Sequence, residues 1–270
     1  MKFEIVGKFV QNVSQYIASR AQELDQKKEQ VEKERALMKA PGISEADQLK
    51  HLNNIQALKQ EIREIDENWG SGGTYRQIAT ALVAGVSGNV AGSSAQFAQN
   101  MVVNYVQQQG SAYIGELVKK GLKEGSPEHS ALHAILGCAG AAASNQGCSG
   151  GALGGAASSV LAGLFAEADA NETAVEREAK RNLITTLVTG IAAMSDPNGA
   201  ATANNAATAN IDNNWLATQQ HVQYQKELEE AQGPLAKAIV TAKWTGTSVK
   251  QDVLTAGGIG PVSYTHLRAH

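Results

Sequence analysis

His129 and His133 stand four residues apart, a spacing that puts two imidazoles on one face of a helix and suits a zinc ion. The metalloprotease pattern built on that spacing also needs a glutamate directly after the first histidine, and Ser130 occupies its place. With no third soft ligand nearby, the pair reads as surface or capping histidines, and no metal is expected. Cys138 and Cys148 lie ten residues apart, on either side of Asn145-Gln-Gly147. A turn there would bring two helix ends together and allow a disulfide; the alternative is two small apolar side chains in a core. Both readings stand at this point. Gly150-Gly-Ala-Leu-Gly-Gly155 has neither the glycine spacing nor the preceding strand of a dinucleotide loop, and no Gly-x-Ser-x-Gly or Walker loop occurs. No acid, base and nucleophile assemble into a catalytic set, so neither enzymatic activity nor a cofactor is expected.

The elements that carry these residues are helical. Phe3, Val6, Val10, Val13, Ile17, Leu24, Val31 and Met38 recur on three- and four-residue steps, the seam of a long helix. Pro41-Gly42 stops it, and Ser44-Glu-Ala-Asp47 restarts a second helix whose apolar face is Leu52, Ile55, Leu58, Ile62, Ile65 and Trp69. Residues 1–69 thus form a charged antiparallel hairpin, holding 23 of the 49 charged residues. After Gly70-Ser-Gly-Gly73, two helices are expected within 74–109 and another over 111–124. Ser126-Pro127-Glu128 then opens a helix over 129–146, paired with one over 149–168. Asn171–Met194 reads as an amphipathic helix ended by Asp196-Pro-Asn-Gly199. The Ala/Asn/Thr stretch 200–210 reads as low-complexity, with helices over about 214–231 and 234–244 to follow. No alternating run long enough for a strand occurs, so the expected fold is all-α.

Composition narrows the function classes. Of 270 residues, 43% are hydrophobic but only 5% aromatic, which fits helices packed closely through small side chains. A net charge of -3 offers no electrostatic case for nucleic acid. No signal peptide is read at the start, where Glu4 and Lys8 interrupt the apolar opening. Between Arg76 and Glu116, and between Glu128 and Glu167, there is no charged residue at all. A stable membrane span needs about 20 predominantly apolar residues. Asn145-Gln-Gly147 splits one segment and Asn89, Gln96, Gln99 and Asn100 dilute the other, so a permanent span is not expected, whereas a conditionally inserting hairpin stays open.

Three landmarks carry a family resemblance: Trp69-Gly-Ser-Gly-Gly-Thr-Tyr-Arg76, His133-Ala-Ile-Leu-Gly-Cys138 with the Gly/Ala-rich pair after it, and Ala206-Ala-Thr-Ala-Asn-Ile-Asp-Asn-Asn-Trp-Leu216. Together they resemble the pre-toxin region of filamentous-haemagglutinin-like exoproteins, the contact-dependent growth-inhibition toxins of Gram-negative bacteria. That region ends in a Val-Glu-Asn-Asn motif, to which Ile211, Asp212, Asn213 and Asn214 are similar, departing by one methylene at each of the first two positions. The resemblance, spanning roughly 60–260, implies two-partner secretion through an outer-membrane transporter and display on the cell surface. It further implies delivery of a C-terminal toxin across the surface or membrane of a target cell, with an immunity protein engaged only through that toxin. Exported proteins meet oxidising conditions, in which a bond between Cys138 and Cys148 could form, and both readings of the pair stay open. Alternative readings are a structural connector of an adhesin and a conditionally membrane-inserting domain.

The expected organisation is a charged hairpin (1–69), a Gly/Ala-rich helical domain (74–194) and a linker ending in the motif (195–214). The start of the delivery region follows (215–260), with Asn213 or Asn214 expected to cap its first helix. Residues 262–270, Val-Ser-Tyr-Thr-His-Leu-Arg-Ala-His, resemble the in-frame translation of a transposon end and sequencing adapter. The segment 261–270 is therefore expected to be an artefact, and the chain a fragment whose toxin is missing.

Overall fold

The computed structural model describes residues 2–87, 93–165 and 172–215, together with isolated positions between 228 and 240. All the regular structure among the described residues is helical. The long hairpin is α1 (Lys2–Met38) and α2 (Glu45–Trp69). Ser44 caps α2, its hydroxyl accepting the Asp47 N–H at 3.1 Å, as the sequence pattern predicts. The hairpin is joined to the rest of the molecule. Ala21 and Leu24 of α1, with Ile62 and Ile65 of α2, pack on Ala174 at the start of α7 (Ala174–Ser195). The Asp25 carboxylate accepts the Ala174 and Val175 N–H groups at 2.8 and 2.9 Å, satisfying two of the four donors that a helix start leaves unpaired.

Next come α3 (Thr74–Ser87) and α4 (Ser94–Lys119). The sequence reading breaks the chain near residue 110, but α4 runs straight through Gly110. A β-carbon there would collide with the Leu136 side chain, so this glycine serves a close approach to the next helix and not a turn. That neighbour is α5 (Pro127–Ala143), capped by Ser126 with proline at its start, and it pairs with α6 (Cys148–Leu164). The pair touches backbone to backbone: a β-carbon at Gly137 would overlap the Gly151 carbonyl, and one at Gly155 the His133 carbonyl. Cys138 and Cys148 are disulfide-bonded across the turn, with Cα atoms 4.2 Å apart. Asn145 takes the left-handed conformation there, φ 56°, one that asparagine tolerates better than most residues.

The stretch 195–214, expected as a linker, is instead the centre of the molecule. Pro197–Gly199 forms a 3-10 turn, α8 spans Ala200–Asn210, and Ile211–Trp215 continues it as a π-helical turn. Ala203, Ala207 and Ile211 are fully buried against Ile184, Val188 and Ala192 of α7 and Ala162 of α6. The run of Ala, Thr and Asn that looks like low complexity is a helix slim enough to be surrounded. Gly154 of α6 admits it, since a β-carbon there would overlap the Ala203 carbonyl. The helices expected over 214–244 and the tail 261–270 lie outside the described residues.

Candidate functional site

Polarity in this domain is turned inward. Arg76, Gln108, Asn104, His129, His133, Asn210 and Asn213 are among its largest fully buried side chains, whereas Val102, Val106, Tyr113 and Ile135 are exposed. On α4 the buried stripe is Asn100, Asn104, Gln107, Gln108 and Ser111, while Val102, Val106 and Tyr113 lie on the opposite side of the same helix. Burying polar groups is costly unless they are bonded to one another, and here most are.

The network converges on Ile211–Asn214. Ile211 is fully buried and belongs to the apolar cluster. Asp212, 1% exposed, binds two guanidinium groups: Arg76 Nη2 at 3.0 Å, and Arg181 through Nη2 at 3.0 Å as well as through Nε. Arg76 in turn holds both oxygens of Glu178 and reaches the Trp69 carbonyl at 3.4 Å. Burial alone would raise the Asp212 carboxyl, but Arg181 and Arg76 outweigh it and keep the group well below the usual carboxylate range. Burial likewise opposes the charge on Arg76, and Asp212 with Glu178 overcomes it. Asp212 and Arg76 are therefore both charged at neutral pH.

Asn213 receives the Gln77 amide at 2.8 Å and donates to the Ala209 carbonyl at 2.9 Å, with Gln108 Oε1 at 3.5 Å. Gln108 also bonds the Gln77 carbonyl and Asn104, tying α3 to α4 at this point. The Asn214 amide nitrogen lies 2.7 Å from His129 Nε2, 3.1 Å from His133 Nε2 and 3.2 Å from Asn210 Oδ1. The two imidazoles meet edge to face, 4.7 Å apart. On its other side His129 Nδ1 faces the Gly125 N–H at 3.2 Å and Ser159 Oγ at 2.5 Å, and Ser130 Oγ donates to the same serine oxygen at 3.1 Å. Burial lowers both histidines, and for His133, with His129 beside it, the value falls to about 3, so both are neutral at physiological pH.

Several expectations change here. The histidines are neither surface nor capping groups; Ser126 caps α5, and both imidazoles face the motif. Among the described residues, no cluster of three or more His, Cys, Asp or Glu could hold a metal. α8 passes directly into the π turn and the Asn213 and Asn214 side chains turn into the network, while the helix they were expected to cap lies outside the described residues. The resemblance names 211–214 but not the residues that hold them: Arg76, Gln77, Gln108, Glu178 and Arg181. Arg76 carries a trace of this in the sequence as the last charge before the neutral stretch 77–115, and so does the polar run Gln107–Gln109 inside it.

The three landmarks are far apart in the chain and adjacent in space. Trp69 packs edge-on to Tyr16 at 4.7 Å, Arg76 follows it to Asp212, and His133 reaches Asn214. The family described as possible hemagglutinin (DUF637) matches residues 94–155. That span is α4, α5 and the first half of α6, the helices with the buried amides and imidazoles. Residues 94–155 are haemagglutinin-related. No curated protein matches the chain, and no solved structure does.

Proposed function

We propose that this haemagglutinin-related chain is the pre-toxin segment of a secreted contact-dependent growth-inhibition exoprotein, presenting or delivering a C-terminal toxin. The supporting observation is the convergence of the three landmarks on Ile211, Asp212, Asn213 and Asn214, which makes the motif the buried keystone of a folded module. The haemagglutinin-related span supports a secreted or cell-surface setting, and the same reading places it in a Gram-negative bacterium. On this reading the chain is not an enzyme and uses no cofactor. Its partners are the rest of the exoprotein, its outer-membrane transporter and the target-cell surface or membrane; nucleic acid is not among them, and an immunity protein engages only the toxin.

The test is a displayed chimera that carries residues 1–260 between a filament and a reporter nuclease, co-cultured with susceptible cells. Target growth should stop, and an unrelated helical connector of equal length should fail to stop it. Equal delivery by that connector would leave the chain a structural spacer of an adhesin. A membrane-inserting reading draws on the exposed Val102, Val106, Tyr113 and Ile135 of the uncharged stretches of α4 and α5. No helix among the described residues is long and apolar enough to cross a membrane, so that reading requires leakage of lipid vesicles by the purified chain.

A further inference from the structure

Each described glycine inside α3, α4, α5 and α6 admits a close neighbour, since a β-carbon there would crowd another part of the chain. Gly190 of α7 admits nothing: a β-carbon there would meet no atom within 4 Å. Glycine is a poor helix former, and at this position the described fold gains nothing from it. Around it Leu183, Leu187, Ile191 and Met194 are 43 to 89% exposed. Their steps of four, four and three residues set them on one face with Gly190 near its centre, and no charged residue occurs from Asn182 to Ser195. A different face of α7 buries Ile184, Val188 and Ala192 in the core. The outer face is thus built like a helix-packing seam, large apolar residues around a small one, with no helix against it among the described residues. We propose that residues 234–244 of this chain dock on that face as a helix crossing at Gly190.

The described chain ends beside the seam. Asp212, three residues before Trp215, is bonded to Arg181, and Leu183 begins the seam two residues further along α7. From there residues 216–233 lead to Gly233, and even in helical form they reach about 27 Å, longer than the seam. The Gly233 carbonyl accepts the Lys237 N–H at 3.2 Å, a helical bond, and Lys237 is exposed. In the sequence Leu235, Ala238, Ile239 and Ala242 recur at helical spacing on the side away from Lys237. Residues 234–244 and 183–194 match in length, each about 16–18 Å at 1.5 Å per residue. A second copy of the chain fits the face less well. A single helix contact of that length covers on the order of a few hundred Å² per partner, against roughly 800 Å² for a stable complex. A segment on its own tether does not need that area, because the linker holds it at about millimolar effective concentration. This inference stands on the α7 face and does not rest on the delivery reading.

Amide hydrogen exchange on the purified full-length chain, followed by mass spectrometry, tests the docking. Residues 236–244 should be protected, and because so short a helix is marginal alone in water, protection reports packing. Gly190→Leu improves helix propensity and touches nothing in the described fold, so on a free face it would be harmless. On a docked face it should speed exchange of 236–244 by at least about tenfold while α8 stays protected as in the wild type. Leu187→Glu should act in the same way. Free exchange of 236–244 in the folded wild type overturns the proposal, and so does protection that neither substitution changes. Protection that disappears on dilution to a monomer, checked by sedimentation, would make a second copy the occupant. Protection that develops only with phosphatidylglycerol vesicles would make it a membrane. Either result also overturns the docking of 234–244.

Discussion

Asp212 is the residue on which the charged half of the network depends. Of its two guanidinium partners Arg76 is almost wholly buried and Arg181 partly so, and removing the carboxylate leaves Arg76 with Glu178 and the Trp69 carbonyl. Breaking a buried pair by deleting one partner costs about 3–5 kcal/mol, because the remaining charge stays buried. Asp212→Ala should lose that much in urea unfolding. Exchange of Arg181 for Lys should lose less, since Lys keeps the charge although it cannot form the same forked bond. The histidines carry the opposite sensitivity. His133 titrates near 6.5 unfolded and near 3 folded, so it adds nothing to the pH dependence above 6.5. As pH falls below 6.5 the unfolded chain gains a proton that the folded chain refuses, and stability drops by up to about 1.4 kcal/mol per pH unit. Glu124, raised to about 7 by burial, works the other way, losing stability as pH rises from its unfolded value towards 7. His133→Gln isolates the first effect: its unfolding free energy should fall by about 1–2 kcal/mol less than that of the wild type between pH 7 and pH 5.

At the scale of elements, the contacts between α5, α6 and α8 are made by backbone. Gly151 faces the Gly137 carbonyl and Gly154 faces Ala203, so even one methyl group has no space. Gly151→Ala should cost at least the 1–3 kcal/mol typical of overpacking, read as a lowered thermal midpoint, despite the better helix propensity of alanine. Two helix starts were legible in the sequence, at the Ser44 and Ser126 caps, whereas the Ser93 cap and the Thr173–Glu176 capping box were not read there. What was not legible was the position of α8. Its sequence has no apolar stripe, because a helix surrounded on all sides needs slimness more than amphipathicity, and slim residues look like a linker. Gly110 misled for the same reason: a glycine that admits a neighbour reads like one that ends a helix. The motif itself was visible, but its partners sit 31 to 136 residues away and are glutamines, arginines and histidines with no shared spacing. Limited proteolysis should therefore spare 199–214 until the domain unfolds globally, whereas a linker would be cut first.

At the scale of the whole molecule, the charged hairpin is part of the fold and not a free arm. Asp25 caps α7 from 149 residues away, and Tyr16 packs on Trp69, which leads to Arg76. Asp25→Ala should cost about 0.5–2 kcal/mol as a lost helix cap, and amide hydrogen exchange should rise first at Ala174 and Val175. An Ala substitution at Glu29 or Lys33, whose ion pair is solvent-exposed, should leave the thermal midpoint unchanged within error.

The position of the π turn also determines how the molecule responds to force. Trp215 ends the π turn that follows the buried α8, and among the described residues the bonds of Asn214, Asn213 and Asp212 are the first three met going back from it. Tension applied at Trp215 therefore does not shear the helices past one another. It peels the structure, loading one side chain's partners at a time, first the imidazoles, then the amides, then the guanidinium groups. The disulfide does not lie on this line, since it ties α5 to α6 at the far side of the network. A load entering from the N-terminal end meets the opposite arrangement, with the full length of the α1–α2 hairpin and the Asp25 clamp sharing it. The chain is thus mechanically polar, yielding in small steps when pulled from beyond the motif and resisting as a unit when pulled from its start.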